Sequence, residues 1–305
     1  MNRITHTQNS FYSSSYGHIL STLENLHDIV NSTGINKVTF ELFSSLIFDY
    51  YHEFGRSFSW RETYEPYKIT ISEIMLQQTQ TDRVIEKYNN WCLVFPDIYA
   101  LANAPFSEVL LHWQGLGYNR RALYVHIIAK EIVDRFDGIM PQDPVILEKF
   151  KGIGPNTARS ICAFAFNQPV TFIETNIRTV FIQCFFHHHY QVDDKEIITL
   201  ITKTLDQNNP REWYYALMDF GVFLKKIYPN SNLKSKHHTT QTIFEGSDRQ
   251  IRGAILRLLL KQKIAEIQEI SKKFNEKPER INRIIETLIQ DNLIIKKNGQ
   301  ISLPK

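Results

Sequence analysis

A turn built on two glycines and a proline, Gly152-Ile-Gly154-Pro155, most constrains what this chain can fold into. It joins the apolar segment 147–150 to a second one that starts at Ala158. Glycine permits positive φ and a close approach of the backbone, and proline suits the first turn of a helix. The turn therefore presents backbone N–H groups at a helix N-terminus, where an anion is favoured. By itself the pattern would also fit any tight turn between two helices.

An acidic residue follows the turn in a second informative segment. Glu174 comes 20 residues after Gly154, at the end of the apolar run 170–173, and Asn176 and Arg178 come next. This order of a glycine hairpin, a helix and a carboxylate resembles that of the helix-hairpin-helix (HhH-GPD) superfamily of base-excision DNA glycosylases. The resemblance implies that the anion at the hairpin is a phosphate of DNA.

A second motif narrows the resemblance to one branch of that superfamily. Residues 71–80, Ile-Ser-Glu-Ile-Met-Leu-Gln-Gln-Thr-Gln, are similar to the signature of the adenine-DNA glycosylase (MutY-type) branch. Four further segments fit the same branch in its order and near its spacing: residues 58–61, 66–67, 101–105 and 113–118. The matching segments together extend over about residues 55 to 225.

The composition is that of an ordinary globular protein. Of the 305 residues 43% are hydrophobic and 22% are charged, and this length is enough for roughly two or three compact units. No apolar run approaches the roughly 18 residues that a membrane helix needs. No basic segment followed by an apolar block marks the N-terminus as a secretory signal. We therefore expect no membrane partner and a cytoplasmic protein, associated with the nucleoid if the source is prokaryotic.

Neither the histidines nor the cysteines predict a metal site. Three adjacent histidines, residues 187–189, cannot all face one ion on a regular element. The three cysteines are too widely spaced to suggest a disulfide framework or a metal site: Cys92, Cys162 and Cys184. Relatives in the branch carry four iron–sulfur cysteines after the segment that matches residues 218–221, whereas this chain has no cysteine in 222–234. We expect no iron–sulfur cluster and no other cofactor.

Four segments follow one another along the chain: an N-terminal tail and helical extension (1–54), a glycosylase core (55–228), a polar linker (229–247) and a C-terminal unit (248–305). Helical periodicity dominates the core, with no alternating segment long enough to suggest a sheet. We therefore predict an all-α helix-hairpin-helix DNA glycosylase core, which the resemblance divides into two helical lobes. The predicted core helices are 67–78, 80–95, 106–114, 118–136, 144–150, 155–166, 175–187, 194–206 and 210–226.

The C-terminal unit shows a different pattern. Helical periodicity in 249–261, 264–274 and 278–291 is followed by a strand, the hairpin turn Asn298-Gly299 and a second strand, within 293–303. The pattern resembles a winged-helix-like module with 278–291 as its recognition helix. Its 13 Lys and Arg against 7 Asp and Glu suit contact with phosphates. The alternative is a module that packs on the core or on a partner.

Two carboxylates have the positions that base removal needs. The reaction passes through an oxocarbenium-like state, so it needs an acid for the leaving base and a carboxylate near the sugar. By resemblance, Glu73 is the catalytic acid that protonates the base and helps to activate water, and Glu174 is the catalytic carboxylate that faces the sugar. The apolar residues around Glu73 are expected to raise its pKa.

Glu174 is a departure from the family, which nearly always has Asp there. The added methylene extends the side chain by about 1 Å, and a misplacement of that size can cost about 100-fold in rate. Either the pocket is reshaped around the longer side chain, or the activity is weakened or lost. A second departure lies at Asn156, where glycosylases that also cut the strand have Lys. An amide cannot form a Schiff base, so we predict a monofunctional enzyme without lyase activity.

The remaining site residues follow from the resemblance. Gln77 and Gln78 match residues that fill the gap left by a flipped base, and Tyr118 matches an aromatic residue that wedges beside the estranged base. Arg61 and Trp60 are expected to line the mouth of the pocket. The full set predicted to bind DNA is Arg61, Gln77, Gln78, Tyr118, Gly152, Gly154, Asn156, Thr157 and Asn176.

The leading hypothesis is a monofunctional DNA glycosylase that removes a mispaired base, adenine opposite guanine or 8-oxoguanine. The expected partner is double-stranded DNA with a mismatch or a damaged base, bound by a monomer. One alternative keeps the fold and removes thymine, uracil or a modified base instead. Another alternative is a protein that binds distorted DNA without catalysis. The C-terminal unit does not resemble the domain with which well-known adenine glycosylases recognise 8-oxoguanine, so the opposite base is open.

Overall fold

The structure, a computed structural model, describes residues 15–240 and 243–304. It separates into two compact units, each made of two stretches of chain. The first unit combines the residues up to Ser57 with Arg159–Thr240, and the second combines Phe58–Ala158 with the residues from 241 onward. The domain boundaries expected along the sequence remain a prediction. The first 14 residues of the expected N-terminal tail lie outside the described residues.

As far as residue 240, the regular elements of the described chain are α-helices, together with 3₁₀ turns at Ser59–Arg61 and Ser231–Lys234. In chain order they are α1 (Gly17–Thr33), α2 (Lys37–Phe54), α3 (Pro66–Leu76), α4 (Thr81–Val94), α5 (Ile98–Asn103), α6 (Phe106–Trp113), α7 (Arg120–Phe136), α8 (Pro144–Leu147), α9 (Pro155–Phe166), α10 (Thr175–Phe185), α11 (Asp194–Thr204) and α12 (Pro210–Ile227). The all-α core is as predicted, and α5 was not predicted. No described helix is both long and apolar enough to cross a membrane.

Aromatic side chains form the core of the first unit, where α12 packs against α2 and α10. Phe43 of α2 contacts Phe181 and Phe185 of α10 and the edge of Trp213 of α12, and all four are fully buried. At Gly221 of α12 the backbones come so close that an added Cβ would lie 2.5 Å from the carbonyl oxygen of Asn176. This glycine therefore fixes α12 against the start of α10.

The C-terminal unit contains three helices and a three-stranded sheet. Its elements are α13 (Asp248–Gln262), β1 (Ile264–Glu266), α14 (Ile267–Phe274), α15 (Pro278–Gln290), β2 (Ile295–Lys297) and β3 (Gln300–Ser302). The antiparallel strands lie in the order β1-β3-β2. Asn298 and Gly299, at the turn between β2 and β3, both have positive φ, as a two-residue hairpin turn requires.

Strand β1 is a difference from the sequence prediction, which began a helix at residue 264. Ile264 pairs with Ser302 and Glu266 with Gln300, so a partner that lies far away in the chain sets this local structure. The three helices and the terminal hairpin are otherwise found where they were predicted. The comparison of this unit with winged-helix modules stays an interpretation.

Candidate active site

Helix α3 carries Glu73 in the second unit. Pro66 occupies the first turn of α3, where its missing N–H costs nothing. Glu73 is half-buried, while the flanking Ser72, Ile74 and Met75 are buried. The side chain of Glu73 is therefore partly shielded from solvent, and both the raised pKa and the role as the catalytic acid remain predictions.

The glycine hairpin has the backbone geometry that its sequence implies. Gly152 has φ of 93°, and a Cβ at this position would lie 2.5 Å from the ring of Tyr124. Gly154 has open space where its Cβ would be, and Pro155 begins α9. Gly152, Gly154 and Asn156 are all exposed. The turn is therefore accessible to a ligand, which the sequence analysis predicts to be a phosphate of DNA.

Gln77 links the end of α3 to this hairpin. Its Nε2 donates to the carbonyl oxygen of Gly152 at 3.3 Å and to Oγ1 of Thr157 at 3.1 Å. Gln78 is exposed and has φ of 53°, which ends the helix two residues earlier than predicted. A positive φ is uncommon for a residue other than glycine and marks a constrained backbone. The structure thus brings Gln77, Gly152 and Thr157 together at one surface of the second unit.

Arg121 organises this surface, although it was not among the predicted site residues. The side chain is only 7% exposed, and burial lowers its pKa to about 10. Its guanidinium donates to the carbonyl oxygens of Ile74, Met75 and Gln77 at 2.6–2.9 Å, which caps the C-terminus of α3. The same group donates to the carbonyl oxygens of residues 116 and 117 at 3.0 and 3.3 Å. One side chain therefore holds both the Gln77 segment and the loop before α7.

In that loop, the ring of Tyr118 lies between two arginine side chains, Arg121 of α7 and Arg249 of α13. Its φ is 45° and its side chain is 38% exposed, so a constrained backbone presents an aromatic ring to solvent. The Arg121 guanidinium carbon lies 5.4 Å from the ring centroid, and that of Arg249 lies 6.0 Å from it. Nη1 of Arg249, on α13, also donates to the Tyr118 hydroxyl at 3.1 Å. The C-terminal unit therefore contacts the side chain that was expected to wedge into DNA.

The sequence analysis predicts that Arg61 lies at the mouth of the pocket. It is half-buried, with its guanidinium carbon 5.1 Å from the centroid of the Phe58 ring. The adjacent Trp60 is 4% exposed and stacks on the same ring. Trp60 is therefore a core residue of the second unit, and the role of Arg61 remains a prediction.

Glu174 caps helix α10 in the first unit. Its Oε1 accepts hydrogen bonds from the backbone N–H groups of Asn176 and Ile177 at 2.7 and 2.8 Å. Its Oε2 accepts from Nδ2 of Asn176 at 3.2 Å. A carboxylate at a helix N-terminus is stabilised both by these donors and by the helix dipole. Both oxygens of the predicted catalytic carboxylate therefore have defined positions.

Lys225 extends this arrangement and was not among the predicted site residues. Its Nζ donates to Oδ1 of Asn176 at 2.6 Å. Burial of the ammonium lowers the pKa of Lys225, with a smaller opposing effect from Glu174 and a lowering effect from Arg178. Nothing in the sequence near residue 225 reveals this contact, because it depends on the packing of α12 against α10.

A pocket of about 370 Å³ opens beside Lys225 within the first unit. No carboxylate lines it, and its walls come from α10, α12 and the segment after α12: Thr175, Arg178, Lys225, Asn230, Asn232, His237, His238 and Thr239. That segment is held in place by Asn232, whose Nδ2 donates to Thr179 at 2.8 Å, and by Ser231, whose hydroxyl donates to Gln183 at 3.2 Å.

The described residues contain no cluster of three or more His, Cys, Asp or Glu side chains that could hold a metal ion.

Comparisons with known proteins agree with this architecture. Residues 71–205 match the family described as HhH-GPD superfamily base excision DNA repair protein. The adenine DNA glycosylase of Buchnera aphidicola subsp. Baizongia pistaciae is 35% identical over 198 residues, which cover 63% of this chain and 56% of that protein. The adenine DNA glycosylase of Mycobacterium tuberculosis (strain H37Rv) is 28% identical over 284 residues, which cover 84% of this chain and 91% of that protein.

Solved structures of the same class have similar folds. A thermostable thymine-DNA glycosylase superposes with a TM-score of 0.55 at 22% identity, covering 65% of this chain and 90% of that one. An endonuclease III in a trapped covalent complex with DNA gives a TM-score of 0.50 at 16% identity, covering 64% of this chain and 88% of that one. The predicted helix-hairpin-helix fold is therefore confirmed.

Residues 71–205 of this chain therefore form an HhH-GPD domain of the base-excision DNA repair superfamily. Its curated relatives are adenine DNA glycosylases, as the motif at residues 71–80 indicated. The chain spans about half the length of the Buchnera relatives that it matches.

Proposed function

We propose that this protein is a DNA glycosylase of base-excision repair, which hydrolyses the N-glycosidic bond of a mispaired base in double-stranded DNA. The leading substrate is adenine opposite guanine or 8-oxoguanine. The proposal rests on one observation above all: the segment that matches the family contains both carboxylates, Glu73 on the half-buried surface of α3 and Glu174 at the N-terminus of α10. These are the two groups that hydrolysis through an oxocarbenium-like state needs.

The two carboxylates have different tasks in this mechanism. Glu73, protonated, gives its proton to the leaving base and then helps to activate water. Glu174 is held by hydrogen bonds from three donors, and its carboxylate stabilises the positive charge that develops on the sugar. Proton transfer and charge stabilisation together break the bond between base and sugar.

The product is an abasic site in an intact strand. Asn156 lies exposed in the first turn of α9, at the position where strand-cutting relatives have Lys. Its amide cannot form a Schiff base with the sugar. The hairpin at Gly152 and Gly154 binds a backbone phosphate, and Gln78 and Tyr118 occupy the space that the flipped nucleotide leaves. The protein acts as a monomer.

A base-release assay on labelled duplexes tests this function. Each duplex carries one mismatch, A:8-oxoguanine, A:G, T:G or U:G, and is analysed with and without hot alkali. We expect strand breaks only after alkali and only with the adenine-containing duplexes. Base release from the T:G or U:G duplex alone would show that the same reaction removes thymine or uracil instead of adenine. Binding without release from any duplex would instead identify a protein that recognises distorted DNA without catalysis.

A further inference from the structure

Two departures of this chain from its family meet at one asparagine. The sequence has Glu at position 174, where relatives have Asp, and Lys at position 225, in the segment where relatives have iron–sulfur cysteines. In the structure both side chains bind the amide of Asn176. Oδ1 of Asn176 accepts from Lys225, and Nδ2 donates to Glu174. The two departures are therefore parts of one hydrogen-bonded chain.

The donor and acceptor groups of the three side chains determine how this hydrogen-bonded chain is oriented. An ammonium group only donates and a carboxylate only accepts, whereas an amide has one end of each kind. With Lys225 at Oδ1, the Nδ2 end of Asn176 must point toward Glu174. Without Lys225, the Asn176 side chain is held at its Nδ2 end alone and can rotate away from the carboxylate. Lys225 therefore restrains the other end of the amide that faces Glu174.

The backbone around the chain is equally restrained. Gly221 holds α12 against the carbonyl group of Asn176, and Lys225 lies four residues further along α12, on the same face. The Glu174 carboxylate is bound at its other oxygen by two backbone N–H groups. A longer carboxylate at this position is therefore drawn back onto the start of α10 and cannot move over the distance that its extra methylene allows.

We propose that Lys225 is a positioning residue that holds Glu174 in place through Asn176. The inference rests on the proposed function, since it assigns Glu174 to the sugar. Lys225 touches neither the base nor the sugar in this scheme. Its removal releases the Asn176 amide, lets Oε2 of Glu174 swing about the capped Oε1 and slows base release without weakening the binding of DNA. A misplacement of about 1 Å in such a site costs about 100-fold in rate.

A different role for Lys225 would leave a different signature. Its ammonium also lines the pocket of the first unit, where it could contact a DNA phosphate directly. Loss of one phosphate contact weakens binding and reduces the slope of log K against log salt concentration by about 1. Loss of a positioning contact changes the rate of the chemical step and leaves that slope unchanged. The two roles therefore separate in a combined measurement of rate and binding.

The test compares Lys225→Met with the matched control Lys226→Met, which removes an exposed charge from the adjacent position of α12. The readouts are the single-turnover rate of base release at saturating enzyme, and the Kd and salt slope for a duplex with an uncleavable analogue of the target nucleotide. We expect the rate of Lys225→Met to fall about 10- to 100-fold, with Kd within about twofold of wild type. Lys226→Met is expected to keep the wild-type rate.

A double-mutant cycle completes the test. If Lys225 acts through Asn176, Lys225→Met has no further effect on the rate in an Asn176→Ala background. Equal effects in both backgrounds, an unchanged rate in Lys225→Met, or a smaller salt slope with weaker binding would each overturn the inference and leave the proposed function standing. No release by the wild-type protein from any mismatched duplex would overturn the proposed function, and the inference with it.

Discussion

Glu174 has a structural task as well as the catalytic one proposed for it, and the two can be separated by substitution. Glu174→Ala removes the cap of α10, so we expect the free energy of unfolding to fall by about 1 kcal/mol. Glu174→Gln keeps an oxygen that can accept the two backbone hydrogen bonds but loses the negative charge and the acceptor for Nδ2 of Asn176. We expect Glu174→Gln to unfold near the wild-type midpoint in urea and to release no base. Base release at the wild-type rate by either variant would show that Glu174 is a cap alone.

His187 illustrates how burial makes a single side chain sensitive to pH. Its ring stacks on that of His27 at 4.1 Å, and burial, together with the nearby His27, lowers the pKa of His187 to about 4. The unfolded chain takes up a proton near pH 6.5, whereas the folded protein does so only near pH 4. Stability is therefore lost as the pH falls through this window.

Thermal melting between pH 7.5 and about pH 4.5 measures this dependence. We expect the melting temperature of the wild type to fall on acidification, and to fall less steeply in His187→Gln. Parallel pH profiles for the two proteins would exclude His187 as the cause.

At the scale of elements, the segments that carry Gln77 and Tyr118 depend on Arg121. Arg121→Met leaves several buried carbonyl groups without their donor, and each such group costs about 1–3 kcal/mol. We expect the free energy of unfolding to fall by about 3 kcal/mol, measured by urea denaturation. The neighbouring Arg120 makes an exposed ion pair with Asp291 at 3.3 Å, so Arg120→Met is expected to cost less than about 1 kcal/mol. Equal losses in the two variants would contradict the role given to Arg121.

The elements also show how far the sequence predicts the structure. The hairpin at residues 152–155 and its two flanking helices were predicted, because glycine, proline and apolar periodicity specify them locally. Helix α5 (Ile98–Asn103) has only six residues, too few to display a helical period. Strand β1 was missed because its pairing partner β3 lies more than 30 residues away. Elements set by neighbours in sequence were predicted, and those set by distant partners were not.

The site residues, too, could be predicted where a local motif specifies them and not where distant packing does. Glu73, Gln77 and the hairpin residues could be named from motifs, whereas the contact of Gln77 with the hairpin was not predicted. The contacts of Arg121 and Lys225 could not be predicted. Each lies in a helix beside a second basic residue, where such side chains are usually exposed, and each acquires its contacts only when distant parts of the sequence pack together.

At the scale of the whole molecule, the C-terminal unit contacts the loop expected to enter DNA. Arg249 holds the Tyr118 hydroxyl, so this unit helps to set the orientation of the predicted wedge. We expect Arg249→Met to weaken binding to a mismatched duplex by about fivefold, or about 1 kcal/mol, and to weaken binding to a matched duplex much less. Kd values from fluorescence anisotropy at fixed salt would measure this.

The control for this prediction is Arg257→Met, which removes an exposed charge from the same helix, α13. It is expected to affect both duplexes equally. If Arg249→Met weakened both duplexes to the same extent, Arg249 would be a general phosphate contact with no part in positioning Tyr118.

The central claim is that this protein removes a base by using Glu73 as the acid. The most direct test measures single-turnover base release from an A:8-oxoguanine duplex by the wild type and by Glu73→Gln, together with the Kd of each for the same duplex. We expect the wild type to release adenine, and Glu73→Gln to bind with a similar Kd and release it at least about 100-fold more slowly. Equal rates in the two proteins, or no release by the wild type despite tight binding, would contradict the claim.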